Sequence, residues 1–337
     1  MKHGVDRRTF LRGAVAGGAV AAAGGLGLRA LLRPPPPWDG SAFPPPGQAR
    51  VAVLTASSYD GALESIVLEG LGAIGADVRG ADVLLKPNLV EFDSQTSINT
   101  EPRLIAAAVL AFRRMGAASV RVGEGPGHRR DVQDLVTRSG LAEALAGVQA
   151  PFVDLNAASI GRVELRSRYT DLRELWLPTP VLDADVVVSM PKMKTHHWAG
   201  VTLSLKNLFG TLPGRVYGWP KNVLHWAGIE QSILDIAGAV RPSYAIIDGI
   251  VGMEGNGPIS GTPVGSGLLV FADDPVAADS IGASLMGFDP EQIAYLAEAS
   301  RFLGQADPAR IEQRGEDPGH LTRAFAPPPL GDGITAG

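Results

Sequence analysis

Lysine is scarce in this chain, and its placement points to a chemical use. Only six of the 30 basic residues are Lys, and the other 24 are Arg. The lysines beyond the N-terminal segment are Lys86, Lys192, Lys194, Lys206 and Lys221. Lys differs from Arg in carrying a compact charge whose pKa falls readily on burial. The lysine positions therefore predict a site, and chance clustering of solvated side chains is the alternative.

Other donor groups accompany the lysines. The close sequence neighbours of three of them are Asn88, His196 and Asn207. Ammonium, imidazole and amide groups together suit a carboxylate or a phosphate, so we expect a pocket for a small anionic ligand. The predicted substrate-binding residues are Lys86, Asn88, Lys192, Asn207, Glu254, Asn256 and Asp274.

Carboxylates in the same segments supply the opposite charge. Lys and carboxylate groups under partial burial split their pKa values and so provide an acid and a base. The predicted catalytic residues are Lys194, His196, Lys206, Glu124 and Asp248. The competing interpretation is a structural ion-pair network in which Asp274 only caps a helix, because such networks perturb pKa values as well.

A divalent metal ion is a further option for the site. His196, His225 and Asp248 would offer mixed nitrogen and oxygen ligands, although no His-Glu-x-x-His spacing supports them. The chain has no cysteine, which excludes disulfides and thiolate nucleophiles in it. For the same reason this chain cannot itself bind an ordinary iron–sulfur cluster.

Strands and helices are predicted to alternate along the body of the chain. Short apolar runs at 51–54, 83–86 and 185–190 are typical of buried strands. Helical spacing lies between such runs, as at 63–74 and 101–115. With short Gly/Pro connections, this alternation predicts an α/β fold with a mostly parallel sheet, helices on both faces and a single large domain.

The polar segments follow the predicted strands. Open α/β sheets bind ligands at the carboxyl ends of their strands. If the sheet is parallel, polar residues at several strand ends meet at one edge. The residues expected to converge there are Lys86, Lys194, His196 and Lys206, with Glu124 and Asp248 close by.

The N-terminal segment has the form of an export signal. An Arg-Arg-Thr-Phe-Leu sequence at 7–11 precedes an Ala/Gly-rich apolar run over 13–28, and this arrangement resembles a twin-arginine (Tat) signal. The run is shorter than the roughly 20 residues that a transmembrane helix needs. Residues 1–33 are therefore predicted to bind the Tat translocase and direct the protein to the periplasm. An uncleaved signal would tether it to the membrane.

The rest of the chain divides into three predicted parts. Residues 34–49 contain two proline runs and predict a stiff linker. Residues 50–305 form the α/β domain. Residues 306–337, rich in Pro and Gly, form a surface tail.

Several segments carry a family resemblance. They are Lys-Pro-Asn at 86, Pro-Lys-Met-Lys-Thr-His at 191, Leu-Ser-Leu-Lys-Asn-Leu-Phe-Gly at 203, Gly-Asn-Gly-Pro at 255 and Asp-Asp-Pro-Val-Ala-Ala-Asp at 273. In order and spacing they resemble the domain of unknown function 362 family over residues 80–290. The resemblance implies a common fold and recurrent polar positions, with no settled reaction. Many relatives carry ferredoxin-like segments with Cys ligands, which implies redox chemistry for those relatives.

The charge balance argues against nucleic-acid binding as the function. Outside residues 1–33 the chain has 24 basic and 34 acidic residues, whereas nucleic-acid binding requires clustered Lys and Arg. The leading expectation is therefore an exported enzyme that acts on a small anionic substrate. The second is a non-catalytic periplasmic protein that binds an anion or a metal–anion complex. The third is a redox protein with a bound organic cofactor.

Overall fold

The computed structural model of the protein describes residues 36–128 and 131–328. The chain divides between Pro37 and Trp38, and the sheet and its helices belong to the larger unit. The predicted export signal, residues 1–33, lies outside the described residues. Within the two described ranges, no helix combines the length and the apolar character that a membrane span requires.

Strands and helices alternate along the chain, as the apolar runs predict. The strands are β1 (Ala49–Thr55), β2 (Asp82–Pro87), β3 (Ser119–Glu124), β4 (Phe152–Asp154), β5 (Ile160–Glu164), β6 (Glu174–Pro178), β7 (Val186–Met190), β8 (Lys192–His196), β9 (Gly200–Thr202), β10 (Tyr244–Glu254), β11 (Thr262–Ala272) and β12 (Ile311–Gly315). The α-helices are α1 (Leu63–Ala73), α2 (Pro102–Arg114), α3 (Val132–Arg138), α4 (Leu141–Gly147), α5 (Thr179–Leu182), α6 (Ser204–Asn207), α7 (Gly214–Tyr217), α8 (Asn222–Trp226), α9 (Ile229–Val240), α10 (Pro275–Leu285), α11 (Ala294–Ala299) and α12 (Pro318–Leu321). Single 3-10 turns occur at Leu208–Thr211, Pro290–Gln292 and Pro308–Arg310.

One large sheet organises the molecule. Its strand order is β12-β1-β11-β10-β7-β2-β3-β4, with β8 pairing to β10 and to β9, while β5 and β6 form a separate two-stranded sheet. Strands β10, β7, β2, β3 and β4 are parallel from one neighbour to the next. Strand β11 runs antiparallel to both of its neighbours, β1 and β10. The predicted fold class, a mostly parallel sheet flanked by helices, is confirmed.

The central strands are apolar on both faces because helices cover both faces of the sheet. Successive residues of a strand point to opposite sides. In β1, Val51 and Val53 pack into the core shared with α9, α10 and α11, whereas Ala52 and Leu54 pack into the core shared with α1 and α2. Burial of one Val or Leu side chain contributes about 1.5–3 kcal/mol, so these strands are stable only between two helical layers.

Residues on both sides of the predicted 50–305 body also pack onto it. Before the body, the Trp38 ring stacks on Phe302 with centroids 4.8 Å apart, and Phe43 is buried. After it, β12 joins the sheet in parallel with β1, and Phe325 is buried. Aromatic side chains thus supply the apolar area that holds these Pro- and Gly-rich segments in place.

Candidate functional site

A cavity opens at the sheet edge where β2 and β3 end. Its volume is about 160 Å³, and engineered cavities of about 150 Å³ hold a molecule of benzene size, so a small ligand fits. Its ionisable lining residues are Lys86, Glu124, His128, Lys194, His196, His197, Lys206, Lys221 and His225. Its other lining residues include Asn88, Trp198, Thr202, Asn207, Phe209, Gly210 and Pro258. The predicted site residues that the structure brings together here are Lys86, Asn88, Glu124, Lys194, His196, Lys206 and Asn207.

Lys86 and Glu124 form an ion pair that is shielded from solvent. The Lys86 Nζ–Glu124 Oε2 distance is 2.6 Å, and the side chains are 0% and 1% exposed. Lys86 Nζ also donates to Asn207 Oδ1 at 3.0 Å and to the Pro87 carbonyl at 2.6 Å. Burial lowers the pKa of Lys86, and the charge of Glu124 opposes that shift. This pair therefore adds little net charge to the cavity.

The Glu124 carboxylate is fixed from several directions. The backbone N–H groups of Leu89 and Gly125 donate to its two oxygens at 3.1 and 2.8 Å. The Gly210 backbone lies so close that a Cβ there would collide with Glu124 Oε1 and Lys86 Nζ. Because both oxygens already accept hydrogen bonds, the geometry suits Glu124 to positioning Lys86 rather than to moving a proton.

Lys194 is buried, and no carboxylate in the described ranges pairs with it. Its Nζ donates to the carbonyl oxygens of Ile98 and Pro258 at 2.7 and 3.1 Å. Burial lowers the pKa of Lys194 well below its ordinary value, and the charges of Lys206 and Lys192 lower it further. Burial therefore disfavours the ammonium form of Lys194 unless an anion lies beside it.

Lys206 is left without a polar partner by the described part of the chain. Its Nζ lies 4.1 Å from the centroid of the Phe209 ring, and no described residue accepts a hydrogen bond from it or pairs with its charge. Burial, followed by the charge of Lys86, lowers the pKa of Lys206 to about 7. The side chain is half-buried and lines the cavity. It therefore presents a free amine or ammonium to a ligand.

The short helix α6, which carries Lys206 and Asn207, is anchored at both ends. At its start, the buried Asp279 carboxylate accepts hydrogen bonds from Ser204 N and Leu205 N at 2.6 and 3.0 Å. At its end, Asn207 Nδ2 donates to the Lys86 carbonyl at 3.0 Å. Burial raises the pKa of Asp279 to about 7. These contacts fix the backbone on which Lys206 stands.

Lys221 completes the set of cavity lysines, although it is not among the predicted site residues. Its Nζ donates to the carbonyl oxygens of Gly125 and Phe209, both at 2.6 Å. Burial lowers the pKa of Lys221 to about 7. Its φ of 68° lies in the left-handed region, where non-Gly residues are uncommon and often functional. The scarcity of Lys is the sequence signal that identifies it.

His196 presents a hydrogen-bond donor. Its Nδ1 accepts hydrogen bonds from the backbone N–H groups of Trp198 and Ala199 at 3.1 and 3.3 Å. The proton of the neutral ring is therefore on Nε2. Burial lowers the pKa of His196 well below its ordinary value, and the charge of Lys206 adds to this effect. At neutral pH the ring is thus a neutral Nε2–H donor.

His225 has the opposite tautomer. Its Nδ1 lies 3.0 Å from the Lys221 carbonyl oxygen and must donate to it, so Nε2 of the neutral ring keeps a free lone pair. Burial lowers the pKa of His225. His197 Nδ1 donates in the same way to the Gly257 carbonyl at 2.8 Å. The cavity lining therefore includes both an imidazole donor and imidazole rings with an acceptor nitrogen.

Lys192 and Asp248 form a second buried ion pair, and neither residue lines the cavity. This position differs from the predicted convergence of Asp248 with the other site residues. Lys192 Nζ lies 2.6 Å from Asp248 Oδ2, and the Tyr59 hydroxyl donates to Asp248 Oδ1 at 2.6 Å. Strand β10 continues past Asp248 to Glu254, so Asp248 is a mid-strand residue rather than a strand end. It stands directly opposite Lys192 in the ladder between β8 and β10.

Three predicted substrate-binding residues also lie outside the cavity lining. Glu254 Oε2 accepts from Ala326 N at 2.9 Å, and Asn256 is exposed. Asp274 caps α10, because its Oδ1 accepts from the backbone N–H groups of the first turn at 2.8 and 3.1 Å. Since β11 is antiparallel to β10, its end and Asp274 lie at the opposite edge of the sheet from the ends of β2 and β3.

Two buried polar atoms of the lining are unpaired. Asn88 Oδ1 and Thr202 Oγ1 have no hydrogen-bond partner among the residues that the structure describes. A buried polar atom without a partner costs about 1–3 kcal/mol. Both atoms are therefore available to a ligand in the cavity.

The described ranges contain no cluster of three or more His, Asp or Glu side chains suited to a metal ion. His196 and His225 both line the cavity. The third candidate ligand, Asp248, is instead bound to Lys192 and Tyr59.

The fold and the site define a class of protein: an α/β domain whose parallel strands end in a lysine- and histidine-lined cavity. The chain belongs to the family described as Domain of unknown function (DUF362), whose model matches residues 83–284. That match contains every ionisable lining residue of the cavity. A thylakoid-associated protein of Synechocystis sp. is 32% identical over 268 residues, which cover 75% of this chain and 79% of that protein.

Two solved structures match the chain over part of its length. The lactate racemase apoprotein from Thermoanaerobacterium thermosaccharolyticum matches with a TM-score of 0.46 and 16% identity, over 74% of this chain and 58% of that one. A protein from Thermotoga maritima matches with a TM-score of 0.33 and 11% identity, over 62% of this chain and 55% of that one. The chain thus spans less than two thirds of either protein.

Proposed function

We propose that the cavity binds a small carboxylate or phosphate and that the protein is an enzyme acting on it. The observation that carries this proposal is the charge of the lining. Four lysines line the cavity against a single described carboxylate, Glu124, which already pairs with Lys86. Lys194, Lys206 and Lys221 thus have no carboxylate partner among the described residues.

The electrostatics favour an anion as the missing partner. Burial lowers the pKa values of Lys206 and Lys221 to about 7, and repulsion from neighbouring lysines adds to this loss of protons. A bound anion reverses both effects, because it attracts the ammonium groups and accepts their hydrogen bonds. A ligand that binds the folded state in this way also stabilises it.

The side chains of the cavity lining have separate roles in ligand binding and proton transfer. Lys194, Lys206 and Lys221 surround the anionic ligand, and His196 Nε2–H donates a hydrogen bond to it. His225 supplies the free imidazole nitrogen that a general base needs. Lys86, Glu124 and Asn207 form the buried network that fixes α6 and Lys206.

The experiment is a thermal-shift and calorimetric screen of the purified protein against small carboxylates and phosphates. We expect at least one of them to raise the melting temperature of the wild type and not that of Lys206→Met. Lys192→Met is the matched control, because Lys192 is buried but lies outside the cavity lining. That control keeps the ligand response. If no anion stabilises the wild type, or if both variants respond alike, the proposal fails.

The second candidate function is a binding protein without catalysis. The fixed Glu124 carboxylate favours it, since the described lining then holds no free carboxylate to serve as acid or base. NMR of the stabilising ligand with the protein separates the two: chemical change of the ligand indicates an enzyme, and an unchanged ligand indicates a binding protein. Visible absorbance of the protein as purified tests the third candidate, a redox protein with a bound organic cofactor.

A further inference from the structure

We propose that Lys206 is a nucleophilic amine and that the anionic ligand carries a carbonyl group, as a 2-oxo acid does, with which Lys206 forms an imine. The inference rests on the proposed function, because the carboxylate of such a ligand must first be bound in the cavity. It assigns a reactive atom and a substrate class to the site.

Hydrogen bonds and ion pairs distinguish Lys206 from the other four lysines of the described chain. Lys86 and Lys192 are ion-paired at 2.6 Å with Glu124 and Asp248. Lys194 and Lys221 each donate two hydrogen bonds to backbone carbonyls, which hold their Nζ atoms in place. Lys206 has no such bond to any described residue. Its amine is therefore free to approach an electrophilic carbon.

The surroundings of Lys206 favour the neutral, nucleophilic form. A lysine is activated as a nucleophile when it is desolvated or stands near another cation, because both effects lower its pKa. Lys206 meets both conditions, with Lys86 as the neighbouring cation and a pKa of about 7. Its charge in turn lowers the pKa values of Lys194 and His196. A large neutral fraction of Lys206 is thus available at neutral pH.

The other ionisable groups around Lys206 complete the site. Glu124 opposes the lowering of its pKa. Lys206 also lowers the pKa values of His128, Lys221 and His225. A carboxylate on the substrate can therefore pair with Lys194 or Lys221 while its carbonyl carbon faces Lys206.

The cavity also fits the size and polarity of a short 2-oxo acid. Its volume of about 160 Å³ admits one small molecule. The Phe209 ring supplies an apolar contact to Lys206, whose Nζ lies 4.1 Å from the ring centroid. Asn88 Oδ1 and Thr202 Oγ1 lie in the same lining without a hydrogen-bond partner among the described residues, and they can accept a hydrogen bond from the hydroxyl formed on the carbonyl oxygen.

The reaction balances without an oxidant or a reductant. The Lys206 nitrogen lone pair forms a C–N bond to the carbonyl carbon, and the carbonyl oxygen takes up a proton to give a carbinolamine. The carbinolamine then loses water as its C–O bond breaks, and the nitrogen becomes an imine. The amine loses its two protons, and the departing water carries them away together with the carbonyl oxygen.

The experiment traps the imine with borohydride. Wild type is incubated with pyruvate or glyoxylate, reduced and digested with trypsin, and the peptides are analysed by mass spectrometry. We expect an adduct with the mass of the added acid less one oxygen atom. A modified Lys206 resists trypsin, so the adduct appears in the peptide that spans residues 195–215. Propanoate, which has the carboxylate but no carbonyl, gives no adduct.

Two comparisons separate this inference from the proposed function. Lys206→Arg keeps the positive charge but lacks a nucleophilic amine, so it should respond to propanoate in the thermal shift and give no trapped adduct. If propanoate and pyruvate stabilise the wild type but neither oxo acid labels Lys206, the inference is overturned while anion binding stands. Labelling that falls mainly on Lys194 or Lys221 overturns it too. If no acid stabilises the wild type and none is trapped, both proposals fail.

Discussion

Replacement of Lys206 by Met should stabilise the protein in the absence of ligand. Burial and Lys86 lower the pKa of Lys206 from 10.5 to about 7. At about 1.36 kcal/mol per pH unit, this corresponds to an upper limit of roughly 4–5 kcal/mol that disfavours the charged form in the folded state. The partial exposure of the side chain reduces that figure, and the lost contact with Phe209 subtracts a further 0.5–1 kcal/mol or so. We expect a net gain of about 1–3 kcal/mol, or a rise of a few degrees in melting temperature.

The stability that Lys206→Met adds should decrease as the pH rises. Because the pKa of Lys206 is lower in the folded than in the unfolded state, the unfolded chain holds more protons between pH 7 and 10.5. The wild type therefore regains stability as the pH rises through this window, and the destabilising contribution of Lys206 is complete below pH 7. Calorimetry should show that the advantage of Lys206→Met is largest at or below pH 7 and falls by half or more by pH 9.

Lys192→Met is the control, and it should lower the stability of the protein rather than raise it. Lys192 Nζ lies 2.6 Å from Asp248 Oδ2, with both groups buried. Its removal leaves a buried carboxylate without its cation, which typically costs about 3–5 kcal/mol. If Lys206→Met also lowers the melting temperature, or raises it equally at pH 7 and 9, then Lys206 is not an unpaired buried cation and the electrostatic account of the cavity is refuted.

Three further predictions concern Gly210, the pH dependence of anion binding and export. Gly210→Ala should destabilise the protein by several kcal/mol in denaturant titration and weaken anion binding, because its Cβ would collide with Lys86 and Glu124. The control is Gly147→Ala, since a Cβ at Gly147 meets nothing within 4 Å. Anion affinity measured by calorimetry should rise as the pH falls from about 9 to 6. Burial lowers the pKa values of Lys206 and Lys221 to about 7, and an anion binds their protonated forms. Equal affinity across that pH range would contradict this prediction. Lys in place of Arg at positions 7 and 8 should keep the protein in the cytoplasm, and normal periplasmic yield in fractionation would exclude Tat export.

The sequence predicts the parallel part of the sheet and the residues at its edge. Lys86 and Glu124 are close because β2 and β3 are adjacent parallel strands and both side chains stand at or near the strand ends. The same periodicity argument identifies the apolar strands, because burial on both faces leaves continuous apolar runs.

The structure places Asp274 and Asp248 away from the cavity for two physical reasons that the sequence does not reveal. Asp274 follows a strand whose direction is reversed, and an apolar run contains no information about strand direction. Asp248 stands within a long strand whose register against β8 shifts after this position, so that Lys192 faces Asp248 while Lys194 faces Met253. Direction and register depend on pairing between distant segments. Lys221 is close to the other lysines for the same reason, through contacts with distant backbone carbonyls rather than through local spacing.

The choice of Lys over Arg in the cavity follows from these contacts. Lys194 and Lys221 each direct one Nζ at two backbone carbonyls, a geometry that a compact ammonium or amine satisfies and a planar guanidinium does not. An arginine would also stay charged at every accessible pH, so the cavity would carry a fixed repulsion between cations in the absence of ligand. Lysines avoid that cost by losing protons on burial, and under the proposed function they would regain charge when an anion binds. In a chain with 24 Arg and six Lys, the proposed site, whose charge would depend on its ligand, would account for the concentration of lysines there.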